Sequence, residues 1–442
     1  MLIKKWLTVG ACVAALCGGI VAASVNATAA SPASRAHVLQ AKQTVTVWSW
    51  FTQSDMEVGI KAFEAQHPNI TVNYTYYNYS PQFLTALKAA AATGSLPDII
   101  GLQPGSLTQQ YRSDLAPLNT LAASAWGNNW RKLVYPVDLQ QMLMGNPKGN
   151  NNYYILPLDS QVLGVWYNTQ LFNKLHISVP TTLAQMVSDS KVLTSHGYLP
   201  MYQGGAGAWQ NENVFMTLAD QNLANSFQNA QLGKISWTST PMLKAMTTWR
   251  ALFNDGVFQT GALGDQGYPT GADLFAAGRV GMFYIGSWWL QEAEFPPPLP
   301  PLVVGMKGFG SFNFPATQPG NQPGAIVGGI DEGIGLTKTG AKNPAASEFL
   351  TSVVNGPASA AILAKAFNDL PSFTNAKAPH LAPRIMTLYH QQLAELAKAQ
   401  NQRFYSPVVQ VAFDNALAGV AAGQLTPAAA LAKVAAAQKK NG

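Results

Sequence analysis

The segment Gly286-Ser-Trp-Trp289 sets two indoles directly behind a turn. Upstream, Val280 to Ile285 reads as a short buried strand, with Gly286 and Ser287 as turn residues. A Gly-Ser turn leading into a helix presents free backbone N–H groups and a small hydroxyl. Beside Trp288 and Trp289, those donors border flat apolar faces. Such a surface suits a ligand that alternates apolar and polar faces, above all a sugar. The competing reading makes both tryptophans core residues. A second candidate is Asp159, between the Pro157 break and the apolar run Val162 to Tyr167. A carboxylate there is costly unless paired. It is expected to accept from a ligand or to cap backbone at a bend. Asp331 and Glu332 interrupt the glycine-broken apolar segment Ala325 to Thr337 in the same way.

These residues need elements to position them. Thr44 to Trp50 alternates β-branched and aromatic residues and reads as a buried strand. Asp55 to His67 carries Met56, Ile60 and Phe63 at helical spacing and stops before Pro68. Asn69 to Tyr76 alternates again, which completes a βαβ unit and predicts a largely parallel sheet. A helix over Pro81 to Thr93 and a short strand Ile99 to Leu102 follow. Gln103 comes directly after that strand, at the end where open α/β sheets bind ligands. The glycine-rich turn Tyr202 to Asn211 carries Trp209 but lacks the lysine of a phosphate loop. Met242, Met246, Trp249 and Phe253 form a core stripe on a helix over 241–254. Two Pro-containing stretches, 295–301 and 315–324, read as loops. The C-terminal remainder is helical and alanine-rich.

Composition narrows the function. The chain has 442 residues, which favours two domains. Charged residues make up only 11%, and the net charge of +6 is spread thinly. Without a basic cluster interleaved with aromatics, nucleic acid is not the expected partner. Sparse charge suits an acidic exterior, where few carboxylates need neutralising. Both cysteines, Cys12 and Cys17, lie in the N-terminal segment. Disulfides, Cys-ligated metals and thiol catalysis are therefore not expected beyond it, and neither is a cofactor.

That segment reads as an export signal over residues 1–29. Lys4 and Lys5 precede an apolar run, and Ala27-Thr28-Ala29 gives a small-x-small cleavage site. Two other fates remain open: a lipid on Cys12 after Val9-Gly10-Ala11, or retention as an anchor. Residues 30–42 form a polar linker.

Six stretches, in order, resemble the extracellular solute-binding proteins of ABC importers. The likeness is to the large sugar-binding family that includes maltose-binding protein. They are Val45 to Trp50; Ala62-Phe63-Glu64 to Val72; Gly94 to Ile100; Leu156 to Asp159 with Trp166 to Asn168 and Phe172; Phe275 to Trp288; and Val327 to Gly329 with Ala345 to Leu350. The resemblance implies two discontinuous α/β lobes joined by crossing strands, with a ligand cleft between them. Asp159–Tyr167, Phe283–Gly286 and Ile330–Ile334 are the expected crossings. Lobe one would then combine 43–158 with 287–330, and lobe two 159–286 with 331–442. The resemblance further implies a monomer that closes on a carbohydrate and is recognised by the importer's membrane subunits. Trp288 would stack on the sugar and Asp159 would accept from its hydroxyls. Trp50, Gln103, Trp209, Ser287, Trp289, Gly329 and Asp331 are further expected ligand-binding positions. Gln161 stands where maltose-binding protein has an acidic residue, which argues against maltose itself. Two alternatives stay open: a non-sugar ligand such as a polyamine or phosphate ester, and a glycoside hydrolase built on Asp159 and Asp331.

Overall fold

The computed structural model describes residues 42–441 apart from 80, 148, 150, 293–307, 319, 322–324, 367 and 368. The expected export signal, most of the linker, both cysteines and the 295–301 loop lie outside the described residues. Among the described residues, no helix is long and apolar enough to cross a membrane.

Eleven strands occur among the described residues. In chain order they are β1 Gln43–Ser49, β2 Ile70–Tyr76, β3 Ile99–Leu102, β4 Leu156–Pro157, β5 Ser160–Asn168, β6 Leu199–Tyr202, β7 Val280–Gly286, β8 Phe309–Phe312, β9 Val327–Ile330, β10 Gly333–Leu336 and β11 Gln400–Asn401. They form two sheets. The first has the order β2-β1-β3-β10-β4 and the second β11-β9-β5-β7-β6, with β8 also paired to β5. β1, β2 and β3 are parallel, as the βαβ pattern predicts, whereas β10 runs antiparallel to both of its neighbours. The second sheet is mixed, because β5 is antiparallel to β7, β8 and β9, whereas β6 is parallel to β7 and β11 to β9.

Alternation along β1 decides what each face of the first sheet meets. Val45 and Val47 point into a core with Met56, Ile60, Phe63, Phe349 and Leu350. Trp48 and Trp50 take the opposite face, beside Phe83, Tyr77 and Tyr79. Burying each such aliphatic or aromatic side chain contributes about 1.5–3 kcal/mol. The helix Gln82–Thr93 stops at Gly94, whose left-handed φ of 66° lets its N–H cap the last turn. Thr182 and Gln185 form a capping box that starts the helix Leu183–Ser195. In the second lobe, Met242, Met246 and Trp249 are buried in the main core, and Phe253 packs against it partly exposed.

Among the described residues, the chain passes between sheets three times in strand pairing, the third being the long return from β10 to β11. It leaves β4 for β5 through Leu158 and Asp159, and leaves β9 for β10 through Asp331 and Glu332. The expected crossing at Phe283–Gly286 is not one: all of β7 lies in the second sheet, between β5 and β6. The long return runs near Leu370, which bridges Ser160, and Phe373, which bridges Val134. The second-half boundaries drawn from sequence, at 287 and 331, do not follow this pairing. β8 and β9 belong with β5, whereas β10 belongs with β3. The helices Pro344–Asn355 and Pro357–Lys365 pack on β1 and on the helix Gln53–Gln66. The physical reason is that a run buried on both faces reads the same whichever sheet it joins.

Candidate functional site

The β4–β5 and β9–β10 crossings are tied to each other by backbone. Leu158 N–H donates to the Glu332 carbonyl (2.8 Å) and Asp331 N–H to the Asp159 carbonyl (3.1 Å). The Asp159 carboxylate accepts from the Glu332 N–H at 2.9 Å, and its side chain is buried. Asp159 therefore holds one crossing to the other, the bend-capping arrangement its sequence context left open.

Asp331 is the crossing residue that keeps exposed surface, with about a fifth of its side chain accessible. Gln161, on β5, donates its amide to Asp331 Oδ1. Arg403 Nη2 lies 3.6 Å from the same oxygen. The Trp50 side chain also acts on this carboxylate, in the direction that lowers its pKa. Burial raises the Asp331 pKa, and Arg403 first and then Trp50 oppose that rise. The Trp50 ring lies 4.8 Å from that of Tyr79, whose hydroxyl donates to Gln103 Oε1 at 2.8 Å. Trp50, Tyr79 and Gln103 thus form a polar-edged aromatic surface at the C-terminal ends of β1, β2 and β3.

The second lobe supplies another aromatic surface. Trp288 is half-buried and meets Tyr268 edge to face, with centroids 5.4 Å apart. Its indole lies back across Gly286, where a Cβ would sit 2.6 Å from the ring and 2.2 Å from Gln161 Oε1. Asp331 and Gln161, hydrogen-bonded to each other, therefore stand between Trp50 on one side and Trp288, which shares the space over Gly286 with Gln161, on the other.

Of the remaining expected residues, Ser287, Trp289 and Gly329 are buried in the scaffold. Ser287 is fully buried; its hydroxyl donates to Asp369 at 2.7 Å and accepts from Val162 N–H at 3.2 Å. Trp289 is fully buried against Phe275 and Phe309, so it is a core residue and not a ligand platform. Gly329 is buried with φ +114°, and a Cβ there would come within 2.4 Å of the Gln141 amide. Gln141 in turn accepts from Ile330 N–H and donates to the Gly328 carbonyl and to Asn401. Gly329→Ala is expected to cost about 1–3 kcal/mol through backbone strain alone. An unchanged denaturation midpoint would contradict this strain. Trp209 sits half-buried in the first turn of the helix Ala208–Asn222, folded back over Gly207.

Around the crossings lies a set of buried acids. Burial pushes Asp138 up to about 8, against the Ser160 hydrogen bond and Arg403. Asp369 and Glu332 are raised well above the usual range, again mainly by burial. Glu212 and Asp414 form a second pair, in which burial and then Glu212 push Asp414 up to about 10. Arg403 and Tyr79 feel the Glu212 charge, which places this pair beside the same site. Among the described residues, no group of three or more His, Cys, Asp or Glu side chains could hold a metal ion.

Sequence reasoning did not name Tyr79, Tyr268, Glu212 or Arg403 as site residues. For Arg403 a signal existed: Gln400 to Tyr405 is a polar break between two alanine-rich helices.

Comparison with known proteins agrees with this architecture. A multiple sugar-binding protein of Streptococcus mutans is 25% identical over 284 residues, which cover 63% of this chain and 62% of that protein. The chain thus matches less than two thirds of that relative's length. A structure described with xylan utilization by Caldanaerobius polysaccharolyticus superposes with TM-score 0.74 at 20% identity, covering 90% of this chain and all of that one. The GacH receptor of Streptomyces glaucescens, solved unliganded and with acarbose, gives 0.71 at 17% identity, covering 91% and 98%. These two likenesses speak for the fold: two α/β lobes with a cleft between them. The family model for bacterial extracellular solute-binding proteins matches residues 48–355, most of the described chain, and the chain belongs to that family.

Proposed function

We propose that the protein binds a mono- or oligosaccharide between its lobes, outside the cytoplasmic membrane, and delivers it to an ABC importer by hinge closure. The observation that carries this reading is the arrangement of Trp50, Asp331, Gln161 and Trp288. It offers an aromatic face from each lobe and, between them, a carboxylate and an amide at the crossing. Aromatic faces take the C–H surface of a pyranose, while Asp331, Gln161 and Gln103 take its hydroxyls. A ligand touching both lobes binds the closed form better and shifts the hinge toward it. The closed monomer then presents the surface that the importer's membrane subunits recognise.

The sugar name of the S. mutans relative and the acarbose complex of GacH both support a carbohydrate. A binding role fits better than hydrolysis, because Asp159 is buried and accepts from the Glu332 N–H within the hinge. A polyamine is the second reading, favoured by the acids Asp331, Glu212 and Asp414 around Tyr79.

Intrinsic tryptophan fluorescence against a panel of sugars, with spermidine included, tests both. At least one sugar should give a saturable change in the wild type. Trp288→Ala should bind that sugar about 10–100-fold more weakly. If no sugar perturbs the signal, or the variant keeps every affinity, the stacking role fails.

A further inference from the structure

Arg403 lies between β11 and the helix Pro407–Ala421, yet its guanidinium reaches the β9–β10 crossing. Nε donates to the Ile330 carbonyl at 3.2 Å, and Nη2 donates to the carbonyls of Ile330 and Asp331. The backbone around it is pinned as well. Arg403 N–H donates to Asn401 Oδ1 at 2.9 Å, and the Asn401 amide donates to the Arg403 carbonyl at 3.2 Å. Gln141 donates to the same Asn401 oxygen at 2.9 Å. The guanidinium is nearly buried, with 9% of its side chain exposed, while the Asp331 carboxylate keeps 21%. One cation therefore grips two consecutive carbonyls of the crossing and faces the side-chain carboxylate of the second residue. A planar fork can do this; a single ammonium cannot satisfy all three acceptors.

We propose that Arg403 is a positioning residue, which pins the β9–β10 crossing and aims the Asp331 carboxylate into the cleft so that it accepts from ligand hydroxyls. The proposal rests on the sugar-binding reading for its ligand, but its first test does not. Several other groups share the neighbourhood: Asp159 and Glu332 on the crossings, Asp369 beyond them, Tyr79 from the loop after β2, and Glu212 from the helix Ala208–Asn222. Burial favours a protonated Asp331, and Arg403 is the principal opposing charge. Removing it must therefore move Asp331 toward protonation at a higher pH.

Carboxyl carbon NMR of the full chain reads this directly, with the Asp331 signal assigned by its loss in Asp331→Asn. In Arg403→Met the Asp331 midpoint should move to higher pH. Arg403→Gln, which keeps donors for the two carbonyls without the charge, should shift it likewise and covers the case of a Met variant that does not fold, whereas Arg403→Lys restores the charge without the fork and should bring the midpoint back most of the way. The second readout is affinity for whichever sugar the wild type binds. Arg403→Met should weaken it about tenfold at pH 7 and more at pH 5, while Asp331→Asn should bind weakly with no such pH dependence. An Asp331 midpoint unchanged in the uncharged Arg403 variants overturns the proposal. So does a shifted midpoint with unaltered sugar affinity. A wild type that binds no sugar sinks the sugar reading instead, and the NMR result alone then decides whether Arg403 controls Asp331.

Discussion

Trp289→Ala should destabilise the protein by about 3–5 kcal/mol, the range for removing a large aromatic from a packed core. The indole is fully buried between Phe275 and Phe309, so little can collapse into the space it leaves. Its Nε1 has no hydrogen-bond partner among the described residues. Trp289→Phe keeps an apolar ring and removes that unpaired donor, so it should cost less than about 1.5 kcal/mol. Its neighbour behaves in the opposite way. Trp288→Ala removes a half-exposed ring that rests on Gly286, and stability should change by less than about 1 kcal/mol. Urea denaturation of the three variants separates the two roles. A Trp289→Ala midpoint equal to wild type would mean that this tryptophan is not part of the core.

The second large effect is on the pH dependence of stability. Asp138 is pushed up to about 8, Asp220 to about 7 and Asp55 to about 6, and Asp369 and Glu332 are raised well above the usual range; in each, burial is the main cause. A carboxyl raised in the folded state binds its proton more tightly there than in the unfolded chain. Below an ordinary carboxyl pKa of about 4 both states are protonated and no penalty exists. As pH rises from there toward 8 the unfolded chain releases the proton first, and the penalty for folding grows. Stability should therefore fall between pH 5 and pH 8, with Asp138 alone contributing on the order of a few kcal/mol at the alkaline end. Asp138→Asn keeps an acceptor for the Ser160 hydroxyl, which sits 2.6 Å from the carboxylate, and removes the titration. It should flatten the profile and raise the melting temperature at pH 8. A wild-type melting temperature that instead climbs from pH 5 to pH 8 would contradict this. The same acid preference was the expectation drawn from a chain with only 11% charged residues.

Period-2 alternation made β1 and β2 legible, and with them the placing of Trp48 and Trp50 opposite Val45 and Val47. The break at Asp331 and Glu332 was legible as well, because two adjacent acids do not belong in an apolar strand. What the pattern could not carry was partnership. β7 is buried along its whole length, and nothing in Val280 to Gly286 says that it pairs with β5 rather than passing to the other sheet. β9 and β10 are four residues each with two residues between them, so one segment of sequence serves two sheets. That is why the lobe boundaries in the second half came out differently. The site shows the same limit. Trp50, Gln103, Asp331 and Trp288 stood out because indoles, amides and acids at strand ends are conspicuous. Tyr79 and Arg403 reach the site from a loop and a helix-to-helix break, and only long-range packing brings them there. Asp159 and Ser287 stood out for the same chemical reasons, but their polar groups are taken up inside the hinge.

The central claim is that a sugar occupies the space between the two aromatic surfaces. Isothermal titration calorimetry of the wild-type chain with neutral mono- and oligosaccharides, and separately with spermidine, tests it most directly. The account predicts saturable binding of at least one sugar with one site per chain, weakened in both Trp288→Ala and Asp331→Asn. Saturable heat with spermidine and none with any sugar would contradict it.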